Sequence, residues 1–226
     1  MMRKICRLEI KNDVVVKGVK FEGVKKVGTF AAAMECCEAN HIEEIFLVDN
    51  TKSLYGLPPN FSALESVAKL TALPITFGGG IRTTEDAMLS FRLGAARVYL
   101  NSVLFQSGEI VEKIVATTGR QAIVGGVEYR VNTGRDICFS CAGREPSALG
   151  VAGRVAQILS FGVSEVILTS IDRDGTGKGF DAEAINLFDD IPIPVILSGG
   201  GSKKELSNWP VSLRTEGLAF SSAVIL

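Results

Sequence analysis

The chain sets out the same series of landmarks twice, half its length apart, and no other feature constrains its fold as strongly. Glu9, Asp49, the run Gly78-Gly79-Gly80 and Asn101 each close an apolar, strand-like stretch. Glu128, Asp172, Gly199-Gly200-Gly201 and Ser222 do the same at offsets of 119, 123, 121 and 121 residues. A near-constant offset across four landmarks divides the 226 residues into halves, about 1–120 and 121–226, that share one order of parts. Each half is expected to hold four strand-and-helix units, with a polar residue or a glycine turn at the end of every strand.

Read for period, short β-rich runs alternate with helical stretches. The expected strands are Ile5–Ile10, Glu44–Val48, Ile75–Phe77, Arg97–Leu100, Ala122–Val127, Glu165–Leu168, Val195–Leu197 and Gly217–Phe220. Between them, segments such as Thr84–Leu93 and Ser147–Phe161 repeat apolar residues at intervals of three and four. Eight continuously apolar runs separated by helix-length segments imply a parallel sheet covered on both faces. With a two-fold internal repeat, such a sheet closes most economically into a single (βα)8 TIM barrel. An open doubly wound sheet competes less well, because its dinucleotide fingerprint is missing after the first strand. The last unit is abbreviated: only a brief helix fits between Gly201 and Gly217, before Pro210, and the sequence reaches Leu226 directly after the eighth strand. The last helix is therefore expected to be short or missing.

Composition narrows the function classes. Twenty-four basic and 25 acidic residues leave a net charge of −1, so nothing electrostatic favours nucleic acid or an anionic membrane as a partner. No run reaches the ~18 apolar residues a membrane helix needs, and the charged strand after Met1-Met2-Arg3-Lys4 argues against a signal peptide. A cytoplasmic protein is the expectation. The five cysteines, at positions 6, 36, 37, 138 and 141, read as reduced thiols. Cys138 and Cys141 form a CxxC, yet there is no second such pair and His41 is the one histidine, so a zinc site lacks ligands. Neither a metal nor a cofactor is expected.

In such a barrel the active site lies at the carboxyl ends of the strands, so the duplicated landmarks converge on one mouth. Gly78-Gly79-Gly80 lets the backbone approach an anion, and Thr83 or Thr84 can cap a following helix whose first amides point at it. Gly199-Gly200-Gly201-Ser202 repeats this arrangement. With Asn101-Ser102 and Ser221-Ser222 after the next strands, the runs make two candidate phosphate sockets, although a tight structural turn is the competing account of any one glycine run. Glu9 and Glu128 end strands one and five, which face each other across the barrel, and opposed carboxylates can divide acid and base roles if their surroundings separate their pKa values. Each is otherwise a solvated strand-end residue. Asp49, Asp172 and Asp174 are either acceptors for substrate hydroxyls or holders of loops. Lys17, on the long connection after strand one, is either a lid residue over the mouth or a surface lysine.

The segments Phe77-Gly-Gly-Gly-Ile-Arg82, Leu100-Asn-Ser102, Leu168-Thr-Ser-Ile-Asp-Arg-Asp-Gly-Thr176, Leu197-Ser-Gly-Gly200 and Val15-Val-Lys-Gly18 resemble the cyclase subunit of imidazole glycerol phosphate synthase, from about Arg3 to the last residues. The resemblance implies a (βα)8 barrel that takes ammonia from a glutaminase subunit. With it the family converts a doubly phosphorylated ribulosyl nucleotide precursor into imidazole glycerol phosphate and an aminoimidazole carboxamide ribotide, in histidine and purine metabolism. It places catalysis on Glu9 and Glu128. One phosphate falls on Gly80, Asn101 and Ser102, the other on Asp174, Gly175, Gly200, Ser221 and Ser222, with Lys17, Asp49, Thr169 and Ser198 in support.

The same resemblance implies an ammonia gate of four charges, Arg3, Glu44, Arg97 and Glu165, at the starts of strands on the amino-terminal face, where the glutaminase docks. A salt-bridge plug that only stabilises the barrel floor fits those residues too. The family's two catalytic carboxylates are aspartates; here both are glutamates, one methylene longer. Gly18-Val-Lys-Phe21 and Lys25-Lys26-Val27-Gly28 lean towards a related branch that supplies ammonia for amidino groups on bacterial surface sugars. Two alternatives therefore stand beside the cyclase: an ammonia-conducting paralogue of that kind, and a catalytically inactive scaffold for a glutaminase.

Overall fold

The computed structural model describes residues 2–106, 108–132, 134–188, 193–208 and 215–226. Eight parallel strands, β1 (Arg3–Lys11), β2 (Glu44–Val48), β3 (Ile75–Gly78), β4 (Arg97–Leu100), β5 (Ile123–Asn132), β6 (Glu165–Ser170), β7 (Val195–Ser198) and β8 (Gly217–Phe220), pair in chain order. β8 pairs with β1, closing the ring. The chain is thus a (βα)8 TIM barrel, and every expected strand forms within a few residues of its expected place.

Alternation along each strand separates two apolar layers. Ile5, Phe46, Val48, Tyr99, Val124, Ile167, Ile196 and Ala219 pack inside the barrel. Cys6, Leu8 and Ile10, the intervening residues of β1, join Ile45, Leu47, Phe77, Val98 and Leu100 in a larger core beneath the helices. Burying a side chain such as Phe77 or Leu8 contributes roughly 1.5–3 kcal/mol, and these two layers are where the sheet's stability resides.

The covering helices have local stop and start signals. Phe30–Ala39, Phe61–Ala68 and Thr84–Arg92 are each opened by a side-chain cap, from Thr29, Asn60 and Thr83. The expected helix at Ser147–Phe161 begins only at Val151. Ser147 is spent on the loop before it, donating its amide to the Cys138 carbonyl at 2.8 Å and accepting from the Leu149 amide at 3.0 Å. The short helix Lys203–Ser207 forms as expected, whereas Pro210 lies outside the described residues. A single turn, Ser222–Ile225, follows β8 and buries Ala223 and Val224. Among the described residues no helix is long and apolar enough to cross a membrane.

Two hairpins stand over the carboxyl-terminal mouth, one in each half. β1 runs past Glu9 and turns at Asn12 into the antiparallel strands Val14–Val19 and Glu22–Gly28. β5 runs past Glu128 and pairs with Arg135–Ser140, which pairs in turn with Glu145–Pro146. The carboxylates therefore sit inside their strands, not at the ends, because hairpin pairing prolongs β1 and β5 beyond the barrel rim.

The duplication is real, with a corrected register. Gly79 lies over the Asp49 carbonyl and Gly199 over the Ser170 carbonyl, each with positive φ and too close to the backbone, 2.3 and 2.4 Å, for a Cβ. Ser170, not Asp172, is therefore the counterpart of Asp49, and Gly79 and Gly80 match Gly199 and Gly200 at an offset of 120. Pairing of Tyr99 with Gly78 and of Ala219 with Ser198 likewise makes Asn101 the counterpart of Ser221. Matching the halves by residue type places the landmarks one or two positions off, because the two halves share backbone positions more closely than side chains.

Candidate active site

Strand alternation explains which side chains reach the mouth. On β1, Ile5 faces the barrel interior, so Arg7 and Glu9 face it too. Arg7, Glu9 and Glu128 are 3, 8 and 3% exposed, charged groups buried where a charge is costly unless compensated. Glu9 is compensated on both oxygens: Arg7 Nη2 lies 3.0 Å from Oε1 and Lys17 Nζ donates to Oε2 at 3.0 Å. Lys17 also reaches Asp174 Oδ1 at 3.2 Å. The first hairpin turns Lys17 inward and down, so it is a buried ion-pair partner instead of a mobile lid or a surface lysine.

Three carboxylates, Glu9, Glu128 and Asp174, share two cations, and the shortfall appears in their proton affinities. Burial pushes Glu9 up, but Lys17 and Arg7 together outweigh it and hold the carboxyl below its usual range. Burial pushes Asp174 up, reinforced by Glu9. Glu128 has Asn101 as its hydrogen-bond partner, and burial raises its pKa to about 7. Tyr99, wedged between β4 and Glu128, is held far above the usual phenol range, first by burial and then by that carboxylate. The buried atoms without a hydrogen-bond partner among the described residues include Arg7 Nε, Glu9 Oε1, Asn101 Oδ1, Glu128 Oε2 and Asp174 Oδ2, all at this mouth. Unsatisfied groups concentrated in one place mark a site built to receive a polar ligand.

The two sockets flank these carboxylates. The first, about 430 Å³ of empty space, is lined by Ser53, Gly80, Asn101, Ser102 and Glu128 among others. The second, about 270 Å³, is lined by Arg7, Gly175, Gly200, Ser221 and Ser222 among others. A wider opening of about 740 Å³, next to the first socket, is lined by Glu9, Phe21 and Tyr55 among others. Thr83 does cap the helix after the first glycine run, but Asp86 accepts from the amides of Arg82 and Thr83 at 3.0 and 3.1 Å. Ser202 and Glu205 form the same closed capping box in the second half. The amides of Arg82, Thr83 and Ser202 are thus taken up by carboxylates, and the socket linings consist mainly of the glycine turns and the strand-end residues Asn101, Ser102, Ser221 and Ser222.

The remaining expected residues divide into two groups. Ser198 accepts from Arg7 Nη1 at 3.0 Å and Thr169 is buried beside Glu128 on the neighbouring strand. Asp49 holds a loop: Oδ1 accepts from the Thr51 amide at 3.1 Å and Oδ2 from Asn60 Nδ2 at 3.0 Å. Asp172 accepts from the Val131 amide at 3.3 Å, tying the second hairpin to the turn after β6. At the opposite end of the barrel Arg3 and Arg97 each bridge Glu44 and Glu165, closing a four-membered ring of ion pairs; Arg3 Nη1 lies 2.9 Å from Glu44 Oε2. Thr76 Oγ1 donates to Glu44 at 2.7 Å and completes that floor.

Arg7 and Tyr99 were missed in the sequence. The signal for Arg7 was present: Ile5, Arg7 and Glu9 alternate with Cys6, Leu8 and Ile10, so a residue two before an inward carboxylate also points inward.

Comparison with known proteins agrees with this geometry. A family model described as a histidine biosynthesis protein matches residues 5–209. Imidazole glycerol phosphate synthase subunit HisF of Saccharolobus solfataricus is 33% identical over 204 residues, covering 90% of this chain and 81% of the relative. The subunit of that name from Pyrobaculum aerophilum is 34% identical over 196 residues, 86% of this chain and 78% of its own. That from Legionella pneumophila is 35% identical over 209 residues, 92% of this chain and 99% of its own. With the barrel, the paired sockets and these matches in agreement, the chain belongs to the histidine-biosynthesis barrel family that includes the HisF subunits.

Proposed function

We propose that this barrel is a cyclase of the imidazole glycerol phosphate synthase type, using ammonia to convert a bis-phosphorylated ribulosyl aminoimidazole carboxamide nucleotide into imidazole glycerol phosphate and aminoimidazole carboxamide ribotide. The observation that carries the reading is a pair of glycine-turn sockets on either side of two buried carboxylates of opposite proton affinity. Gly80, Asn101 and Ser102 take one phosphate; Gly175, Gly200, Ser221 and Ser222 take the other. The substrate then spans the mouth with its reacting atoms over Glu9 and Glu128. Glu128, protonated near neutrality, is the acid that helps a carbonyl oxygen depart as water when ammonia condenses. Glu9, ionised, is the base that removes a proton for ring closure and C–N cleavage.

A glutaminase docks on the amino-terminal face and releases ammonia at the ring of Arg3, Glu44, Arg97 and Glu165. From there the interior is filled by Phe46 and Tyr99, with ring centroids 4.7 Å apart, so passage to the mouth requires these rings to swing aside. Purified protein supplied with ammonium salt and the ribulosyl precursor is expected to turn it over, and Glu128→Gln to abolish turnover. Absence of both turnover and precursor binding would overturn the reading. Stimulation of a partner glutaminase without consumption of precursor would show a conduit or scaffold instead.

A further inference from the structure

We propose that Arg7 is the positioning residue that divides labour between the two mouth carboxylates, holding Glu9 as the base and leaving Glu128 to carry the acid's proton. The proposal rests on the cyclase reading for the roles of the carboxylates, and on geometry for their difference. Arg7 is clamped: its guanidinium lies 5.3 Å from the Phe21 ring centroid above and 5.8 Å from that of Phe46 below. Nη2 is 3.0 Å from Glu9 Oε1, Nη1 donates to Ser198 Oγ at 3.0 Å, and Nη1 is 3.9 Å from Asp174 Oδ1.

The groups facing this guanidinium come from every surrounding element: Glu9 from its own strand, Lys17 from the first hairpin, Tyr99 from β4, Glu128 from β5, Asp174 from the turn after β6 and Ser198 from β7. Arg7 and Lys17 both make their ion pairs with Glu9 and Asp174; the charge of Arg7 also draws Glu128 down, but from beyond ion-pair distance and without offsetting burial. Glu9 thus has a cation at each oxygen, while Glu128, equally buried, has none at ion-pair distance among the described residues. A buried carboxyl with paired cations stays ionised, and one without keeps its proton. Arg7 Nη1 donates to Ser198 and Nη2 pairs with Glu9, so protein oxygens orient the guanidinium even though the side chain borders the second socket; the kcat and KM comparison below separates this role from that of a phosphate ligand.

The test uses carbon-13 carboxyl NMR titration of the full chain, with the two glutamates assigned by Glu9→Gln and Glu128→Gln. In the natural protein Glu9 is expected to titrate below, and Glu128 well above, the usual glutamate range. In Arg7→Met the Glu9 midpoint is expected to rise by about one pH unit or more. Arg7→Lys is expected to restore most of the separation. Unchanged midpoints in Arg7→Met overturn the proposal, as does a natural protein in which Glu128 titrates below Glu9; the latter decides the matter should Arg7→Met fail to fold. Because the titration needs no turnover, an inactive natural protein would refute the cyclase reading and with it the base and acid roles, while the midpoints would still decide whether Arg7 sets the difference between the two carboxyls. Where turnover is seen, Arg7→Met should lower kcat at least tenfold with KM nearly unmoved, and a raised KM with unchanged kcat would make Arg7 a substrate ligand instead.

Discussion

The two halves of the barrel share a backbone plan and differ in how they fill the interior. Where β8 meets β1, Ala219 leaves room for Arg7, which reaches across to Ser198. At the equivalent seam, β4 meets β5 and the sizes are reversed. Tyr99 supplies the bulk, Gly126 makes room for its hydroxyl, and Gly78 makes room for its ring; a Cβ would stand 2.2 Å from the Tyr99 oxygen at Gly126 and 2.6 Å from its ring at Gly78. One seam therefore carries a cation and the other a neutral aromatic. The glycine turns, which need only backbone, stay alike and give two similar sockets. The carboxylates, which respond to charge, diverge: Glu9 beside Arg7 is held below the usual range and Glu128 beside Tyr99 above it, the difference on which the proposed base and acid roles rest. The repeated backbone plan supplies the two sockets of the proposed site, and the different side chains at the seams supply its difference in charge.

The largest expected effect comes from removing the acid. Glu128→Gln should lower kcat by about 10²–10⁴-fold in a steady-state assay with ammonium salt, and the same change should stabilise the protein at high pH. A carboxyl whose pKa is about 7 when folded binds its proton more tightly than in the unfolded chain, so stability falls as pH rises from the ordinary glutamate value through 7. The glutamine variant escapes this loss, worth roughly 3 kcal/mol in full, and its Tm advantage should grow across that window and vanish in acid.

Glu9→Gln should behave in the opposite sense. Its folded pKa is depressed, so its stabilisation is present above the ordinary glutamate value and fades as pH falls through the folded value. Removing it leaves Arg7 and Lys17 to share Asp174 at neutral pH, an expected loss of up to about 3 kcal/mol by chemical denaturation. Equal pH responses of the two variants would erase the proposed difference between halves.

A smaller effect is expected at the seam packing. Gly126→Ala should cost about 1–3 kcal/mol through collision with Tyr99, and Tyr99→Ala in the same chain should recover part of that loss, a non-additivity read from a double-mutant cycle. Ala219→Gly at the other seam should cost only about 0.5–1 kcal/mol.

The barrel is legible because the eight strands are short, mostly apolar runs at regular spacing, interrupted on β1 and β5 only by the charged residues of the mouth. The glycine turns were legible for the same reason, since positive φ beside a carbonyl admits almost nothing else. The hairpins were harder. Val14–Val19 carries Lys17 and Gly18, and Glu22–Gly28 is mostly charged and exposed, so neither has the pattern of a half-buried strand. Their antiparallel pairing is fixed instead by positive φ at Lys20 and Phe21, which sequence does not announce. Asp49 and Asp174 looked interchangeable as acidic residues at the mouth. Only the fold distinguishes them, closing Asp49 into a cap with Thr51 and Asn60 and turning Asp174 onto Lys17.

The most direct measurement of the central claim, that below neutral pH Glu9 is ionised while Glu128 keeps its proton, is the pH dependence of kcat/KM for the natural protein with ammonia held in excess. The account predicts a plateau below neutrality that falls as pH rises through about 7, where Glu128 loses its proton. A profile that stays level through this range and on to pH values well above it would contradict the assignment of Glu128 as the acid.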